Sequence, residues 1–199
     1  MSLRGIAREM DMASSALFRY FRNRDALLTA LIIDSYRSLA DAADVAEARV
    51  HTASVGDRWL AICHGVRDWA VAHPHEYTLI FGSPIPGYAA PQDTVAPAHR
   101  VPLLLGSLLD DLVTDDPPVH EELPAAVERA LDPVRAVMPP GVPADLMVRG
   151  LMAWTYLFGA LSAELFGHRH NVVADFAVSF DHEVGRLAKM LGLVGPGLP

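Results

Sequence analysis

The sequence predicts an all-α protein, with a small helix-turn-helix head followed by a helical-bundle body. Three observations point there. Apolar residues recur at steps of three and four through most of the chain, the period of a helix face. Val and Ile rarely alternate with polar residues, and neither Asn-Gly nor Asp-Gly occurs, so hairpin signals are missing. Two short helical stretches at the front are separated by only a few residues, the spacing of a helix-turn-helix.

In chain order, "LRGIAREM" puts Leu3, Ile6, Ala7 and Met10 on one side of a short helix. "DMA" interrupts it, Asp11 tolerating left-handed backbone less well than glycine. Residues 14–21 form a second short helix with Ser14 and Ser15 as candidate caps. "RNRD" breaks the pattern again. Asn23 is placed to cap a long helix over 24–46 with Leu27, Leu28, Leu31, Ile32 and Leu39 as its buried stripe. "RWLAICHGVRDWAVAH" is an amphipathic helix stopped at Pro74, and "HEYTLIFG" a short one ended by Gly82. Pro84, Pro86, Gly87 and Pro91 make a loop. Helical spacing resumes over "TVAPAHRVPLLLGSLLDDLV", with a kink expected near Pro97 or Pro102. Seven prolines between 117 and 143 surround a short helix near 124–137, and two long helices follow over 143–167 and 172–192. The expected division is a head over 1–46 and a regulatory body over 47–199.

Of the 199 residues 51% are hydrophobic, enough for a sizeable core with apolar surface left for a partner chain. The one cysteine, Cys63, forbids an intrachain disulfide and fits a reducing, cytoplasmic compartment. The charged start "MSLRGIAREMD" is not a secretory signal. No segment is expected to approach the ~18 apolar residues of a membrane span, so no membrane partner is expected.

Charge is uneven. The chain carries −8, yet residues 1–27 hold five arginines against three acids, a balance of +2 that leaves −10 for the rest. In the stretch "SSALFRYFRNRDALL", Ser14 and Ser15 are small polar groups at the leading end of a helix, able to reach base edges. Tyr20 can donate to a phosphate, Arg19, Arg22 and Arg24 can neutralise phosphates, and Arg24 opens a helix whose N–H groups favour an anion. The residue types also fit a plain helical hairpin with a solvated basic face, because Leu17, Phe18 and Phe21 suit a small core.

"LRGIAREMDMASSALFRYFRNRDALL", residues 3–28, resembles the signature of the tetracycline-repressor-like (TetR) family of bacterial transcription regulators. The resemblance implies that Ser14, Ser15 and Ala16, with Arg19, face bases. It makes Tyr20 the phosphate-contacting aromatic and Arg24 the anchor of the long helix on the DNA backbone. Leu3, Ile6, Ala7, Leu17, Phe21 and Leu28 would form the head's core. Asp11 stands where the family prefers glycine, Ala13 where it has a capping serine, and Phe18 where it has a tyrosine that can reach a phosphate. The family places one more helix before this motif, so the head is expected to lack its first helix here. A double-stranded DNA operator is the implied partner; the alternative is a helical ligand-binding or scaffold protein with a truncated, unused head.

In the body, Met147, Leu151, Trp154, Phe158, Leu161 and Leu165 follow steps of 4, 3, 4, 3, 4, and Gly150, Ala153, Leu157 and Ala160 form a second stripe. The last helix offers Val173, Phe176, Phe180, Val184, Leu187 and Leu191. Both helices exceed one buried face, so core alone or core plus partner subunit are open. The family resemblance implies a homodimer through these two helices, placing Leu157, Leu161, Leu165, Phe176, Phe180 and Val184 at the interface. "RDWAVAHPHEYTLIFG" and "AWTYLFGALSAELFGH" resemble the family's branch with a tryptophan-histidine-glycine type C-terminal domain, although Thr155-Tyr156 departs from its naming motif. The family encloses a small effector among its middle helices, and Trp69, Tyr77, Phe81, Trp154 and Phe158 are the expected lining.

Catalytic and metal chemistry find no constellation. His73-x-His75 and His168-x-His170 lack a second ligand pair at helical spacing, so no metal is expected. Cys63 and His64 are adjacent and point about 100° apart on a helix, which prevents a nucleophile–base pair. Cys63 reads as a small core residue. No enzyme activity and no cofactor are expected.

Overall fold

The computed structural model describes residues 19–115 and 121–193. Among these residues every regular element is helical. The helices are α1 (Arg24–Ala48), α2 (Val55–Ala72), α3 (Pro74–Phe81), α4 (Val95–Asp115), α5 (Ala125–Ala130), α6 (Asp132–Arg135), α7 (Ala144–Leu165) and α8 (Phe176–Leu191), with a 3-10 turn over Gln92–Thr94 before α4.

The boundaries follow local chemistry. Asn23 Oδ1 accepts from the Ala26 N–H at 2.8 Å and starts α1. Ser54 Oγ accepts from the Asp57 N–H at 3.1 Å and donates to the Asp57 carboxylate at 2.7 Å, closing the first turn of α2. Pro74 sits in the first turn of α3, where its missing N–H costs nothing. Asp175 caps α8 through the Val178 N–H, and Gly192 ends it at φ 83°, with the Leu193 N–H reaching back to the Ala188 carbonyl at 2.9 Å. The helix expected near 124–137 is two short pieces, α5 and α6, and the last helix starts at Phe176 rather than 172. α4 runs on through Pro102 as one helix.

α1 packs along α2 and α4, α2 also meets α8, and α7 lies across α4 and α8. The core between them includes Leu39, Trp59, Ile62, Cys63, Val66, Leu108, Leu146, Leu157, Leu161 and Val184. Cys63 is fully buried, and that burial pushes its thiol well above the ordinary range. Leu31, expected in the α1 stripe, is 45% exposed; Ser35, Ala40 and Ala43 are buried on the helix instead.

The expected faces of α7 and α8 need correction. Leu157, Leu161, Phe180 and Val184 are not on a partner-facing surface but inside the chain's own core, and Leu165 is half-buried against it. Phe176 is half-buried as well. Both stripes supply the core: Met147, Phe158 and Leu161 of the large seam are buried along with Ala153, Leu157 and Ala160 of the small one, while Leu151, Met152 and Tyr156 are exposed. Periodicity identified both faces; the small residues turn inward because α7 must approach its neighbours closely, as at Gly150, where a Cβ would lie 2.9 Å from Leu109 Cδ1. The expectation about membrane spans is also corrected: α7, at 22 residues, is long and apolar enough to cross a membrane by length and composition. In this fold it is a bundle helix tied at both ends, by Arg149 donating to the Met190 carbonyl of α8 at 3.1 Å and by Glu164 pairing with Arg67 of α2 at 2.6 Å.

The C-terminal end of α1 is held by charge. Arg58 of α2 donates from Nε to Glu47 and from Nη1 to Asp111 of α4, both at 2.7 Å, and Glu47 also pairs with His51 Nδ1 at 2.8 Å. Burial alone would raise the Glu47 carboxyl, but hydrogen bonds from His51 and Arg58 outweigh it and hold the group below its ordinary value. Arg100 of α4 bridges Asp41 at 2.8 Å and also pairs with Asp44, one helical turn further along α1.

Gly65 lets α1 and α2 cross closely: a Cβ there would lie 2.7 Å from Ala46 Cβ and 3.1 Å from the Ala42 carbonyl oxygen. Gly65→Val should destabilise the fold by about 2 kcal/mol through overpacking, lowering the melting temperature by roughly 4–8 °C. An unchanged melting temperature by circular dichroism would show that this crossing does not constrain the bundle.

Candidate functional site

A cavity of about 510 Å³ opens among the helices. α4 forms one wall with Ala98, His99, Pro102, Leu103, Leu105 and Leu109. α7 forms another with Met147, Gly150, Leu151 and Trp154, and the α6 segment covers it with Pro133, Val134, Val137 and Met138. Tyr36 of α1, Trp59 of α2, Phe81 of α3 and Leu191 of α8 complete it. Gly106 provides the slot for the covering segment, since a Cβ there would lie 2.8 Å from Met138 Sδ.

Two of the five aromatics expected in the lining, Phe81 and Trp154, are there. The other three are not, each for a visible reason. Phe158 stands behind the wall, its ring 4.2 Å from Phe81 and 4.3 Å from Trp154 between centroids, and supports both. Tyr77 is fully buried, with its hydroxyl donating to the Phe158 carbonyl at 2.9 Å and sharing a 2.8 Å hydrogen bond with Ser162. Trp69 donates from Nε1 to Ser38 Oγ at 2.8 Å and stacks on His73.

Sequence reasoning missed Tyr36, Trp59 and the 133–138 cover. Tyr36 was findable, because it falls four residues after Ile32 and three before Leu39 on the buried stripe. Trp59 sits three residues before Ile62 on the buried face of α2, and its Nε1 donates to the Val184 carbonyl at 2.9 Å, so it offers the cavity an apolar ring. The cover was hidden by a proline-rich stretch whose short helices have little periodicity.

At the head, Ser14, Ser15, Ala16 and Phe18 lie outside the described residues. Arg19 and Tyr20 are helical, and Arg19, Tyr20 and Arg22 are exposed, Tyr20 to 75%. Arg24 is half-buried; its Nη1 is 3.8 Å from Asp25, and its Nε is buried without a hydrogen-bond partner among the described residues. Four of the expected DNA-contacting side chains therefore gather at the N-terminal end of α1, and Tyr36 stands on the same helix twelve positions on from Arg24.

Residues 59–187 match the family model described as the tetracyclin repressor-like C-terminal domain. HTH-type transcriptional regulators of Mycobacterium bovis (Mb1846) and Mycobacterium tuberculosis (Rv1816) are 36% identical over 204 residues, covering 96% of this chain and 83% of theirs. The crystal structure of SCO4313, a protein assigned as regulatory, superposes with a TM-score of 0.75 at 34% identity, over 94% of this chain and 85% of that one. A Rhodococcus sp. RHA1 protein of unknown function shares the fold at 22% identity, with a TM-score of 0.64 over 97% of this chain and 84% of its own.

The cavity wall gives a direct test. Ala98→Phe projects a benzyl group from α4 into the space. It should keep the helical content unchanged and weaken naphthalene binding by at least about tenfold, a loss of some 1.4 kcal/mol. Wild-type affinity in this variant, measured by calorimetry, would place the probe elsewhere.

Proposed function

The chain belongs to the tetracycline-repressor-like family of transcription regulators, and we propose that it is a DNA-binding repressor released from its operator by a small, largely apolar effector. The observation that carries the reading is the position of Tyr36: it is a wall of the apolar cavity and part of α1, the helix that follows the exposed Arg19, Tyr20 and Arg22 after a non-helical break at 21–23. A ligand filling the cavity between α4 and α7 would press on α1 and change how the head is presented.

The repressor acts in the cytoplasm as a homodimer through its last two helices, because reading two adjacent major grooves needs two heads roughly 34–36 Å apart. Met152 and Tyr156 of α7 are the exposed apolar positions away from the cavity that support such a contact, with Gly159 beside them, where a Cβ would meet nothing within 4 Å. The effector acts only through different affinities for the DNA-fitting and non-fitting arrangements. A hundredfold loss of operator affinity requires about 2.7 kcal/mol of such coupling, a demand that burial of a few apolar groups in the cavity can meet.

Titration of the DNA upstream of the chain's own gene, across a range of salt, tests the DNA-binding half. Binding should weaken steeply with salt, and Arg22→Ala should weaken all sequences alike while shrinking the slope by about one unit. Salt-independent binding, or a slope unchanged in the variant, would remove Arg22 from the phosphate contacts.

A further inference from the structure

The described lining of the cavity contains no Asp, Glu, Lys or Arg. Its two titratable groups are the Tyr36 phenol and the His99 imidazole, and His99 is exposed at the rim. A carboxylate, phosphate or ammonium ion moved into this space would lose its hydration shell and meet no counter-charge, which disfavours every charged ligand.

The Tyr36 hydroxyl differs in one respect from other hydroxyls on α1 and from that of Tyr77 behind the wall. Thr29 of α1 is bonded to Tyr88 at 2.9 Å, Ser38 accepts from Trp69 at 2.8 Å, and Tyr77 is engaged with Phe158 and Ser162. The Tyr36 hydroxyl makes no hydrogen bond to another described residue, although the ring is half-buried and held edge-on by Phe81 at 6.1 Å and 86°. Burial also raises its pKa, so the phenol stays protonated and able to donate at neutral pH. A partly desolvated donor with no hydrogen-bond partner among the described residues, in a wall whose other polar side-chain groups are the His99 imidazole and the Trp154 and Trp59 indoles, the last already bonded to the Val184 carbonyl, is the kind of polar group that orients a ligand.

We propose that the cavity takes a neutral, mainly hydrocarbon molecule bearing one hydroxyl or carbonyl oxygen, and that this oxygen hydrogen-bonds to the Tyr36 hydroxyl. This rests on the reading of the cavity as the effector site, and it assigns Tyr36 two tasks. Its hydroxyl selects oxygenated ligands over plain hydrocarbons, and its place on α1 attaches the ligand to the helix that carries the head.

The test uses three probes of one shape, 2-naphthol, naphthalene and 2-naphthoate, titrated calorimetrically at pH 7 into the full chain and into Tyr36→Phe. Fluorescence of Trp59 and Trp154, both in the wall, gives a second readout. The wild type should bind 2-naphthol about five- to tenfold more tightly than naphthalene, the return of one hydrogen bond, and 2-naphthoate at least about tenfold more weakly than 2-naphthol. Tyr36→Phe should erase the naphthol advantage and leave naphthalene affinity unchanged, which also shows that the variant is folded. A naphthol advantage that survives in Tyr36→Phe, equal binding of naphthol and naphthalene by the wild type, or naphthoate binding as tight as naphthol would overturn the proposal while leaving an effector cavity in place. Failure of all three probes to bind would overturn the cavity reading beneath it.

Discussion

Much else in this structure depends on how Arg58 fixes the C-terminal end of α1. Its guanidinium joins Glu47 at the end of α1 to Asp111 at the end of α4, from a position on α2. Both Arg58 and Glu47 are buried, so losing one partner would strand a charge in the interior, a penalty of several kcal/mol. Arg100 adds a second tie to α1 through Asp41 and Asp44. The C-terminal half of α1 is thereby held to α2 and α4, while its N-terminal half, bonded through Thr29 to Tyr88, runs past the cavity toward the exposed Arg22, Tyr20 and Arg19. From Glu47 to Arg24 is about 35 Å at 1.5 Å per residue, so a tilt of only ~5° about the anchored end moves the head end by about 3 Å. Tyr36 lies near the middle of that length. In the proposed regulation, cavity, lever and anchor occur in the order that converts a small local displacement into a larger one at the DNA.

The cavity exists because the surrounding side chains are already committed. Trp59, Trp69 and Tyr77 are large groups whose polar atoms are bonded to Val184, Ser38, Phe158 and Ser162, so they are fixed in place and cannot fold into the open space. Phe158 braces Phe81 and Trp154 from behind. On the other side Pro102, which has no N–H to donate to the Ala98 carbonyl, locally weakens α4 where both residues face the cavity. One wall is therefore rigid and aromatic, and the opposite wall is a helix with a missing hydrogen bond beneath a cover made by α6 and the residues that follow it. A ligand would be accommodated by the second.

Much of this was legible in the sequence. Asn23, Pro74 and Gly82 mark helix boundaries by local chemistry, and local chemistry is what a sequence states openly. Cys63 as a buried core residue followed from its neighbours in the α2 pattern. The orientation of α7 and α8 was not legible, because helical period reveals two apolar faces and does not say which the core takes. Leu157, Leu161, Phe180 and Val184 went to the inside because small neighbours such as Gly150 and Ala153 allow α7 to pack tightly there. Aromatic content pointed to the correct region for the cavity, yet only Phe81 and Trp154 of the expected set line it. Whether an aromatic ring faces a cavity or braces it depends on which hydrogen bonds its neighbours offer, and partners such as Val184 for Trp59 lie more than a hundred residues away in the chain. The residues that carry the proposed selectivity and coupling, Tyr36 above all, combine a core position with a polar tip, and pattern alone treats them as core.

The central claim is that filling the cavity moves the heads of a dimer through α1. The distance between nitroxide labels on Asp25→Cys, measured by pulsed electron resonance with and without 2-naphthol, tests it most directly. Asp25 is exposed in the first turn of α1, and the native Cys63 is fully buried and will not take a label. The account predicts a pair distance that shifts by about 3 Å or more when the ligand binds, the displacement expected at the end of a ~35 Å lever. An unchanged distance with the cavity demonstrably occupied, or no pair signal at all, would contradict it.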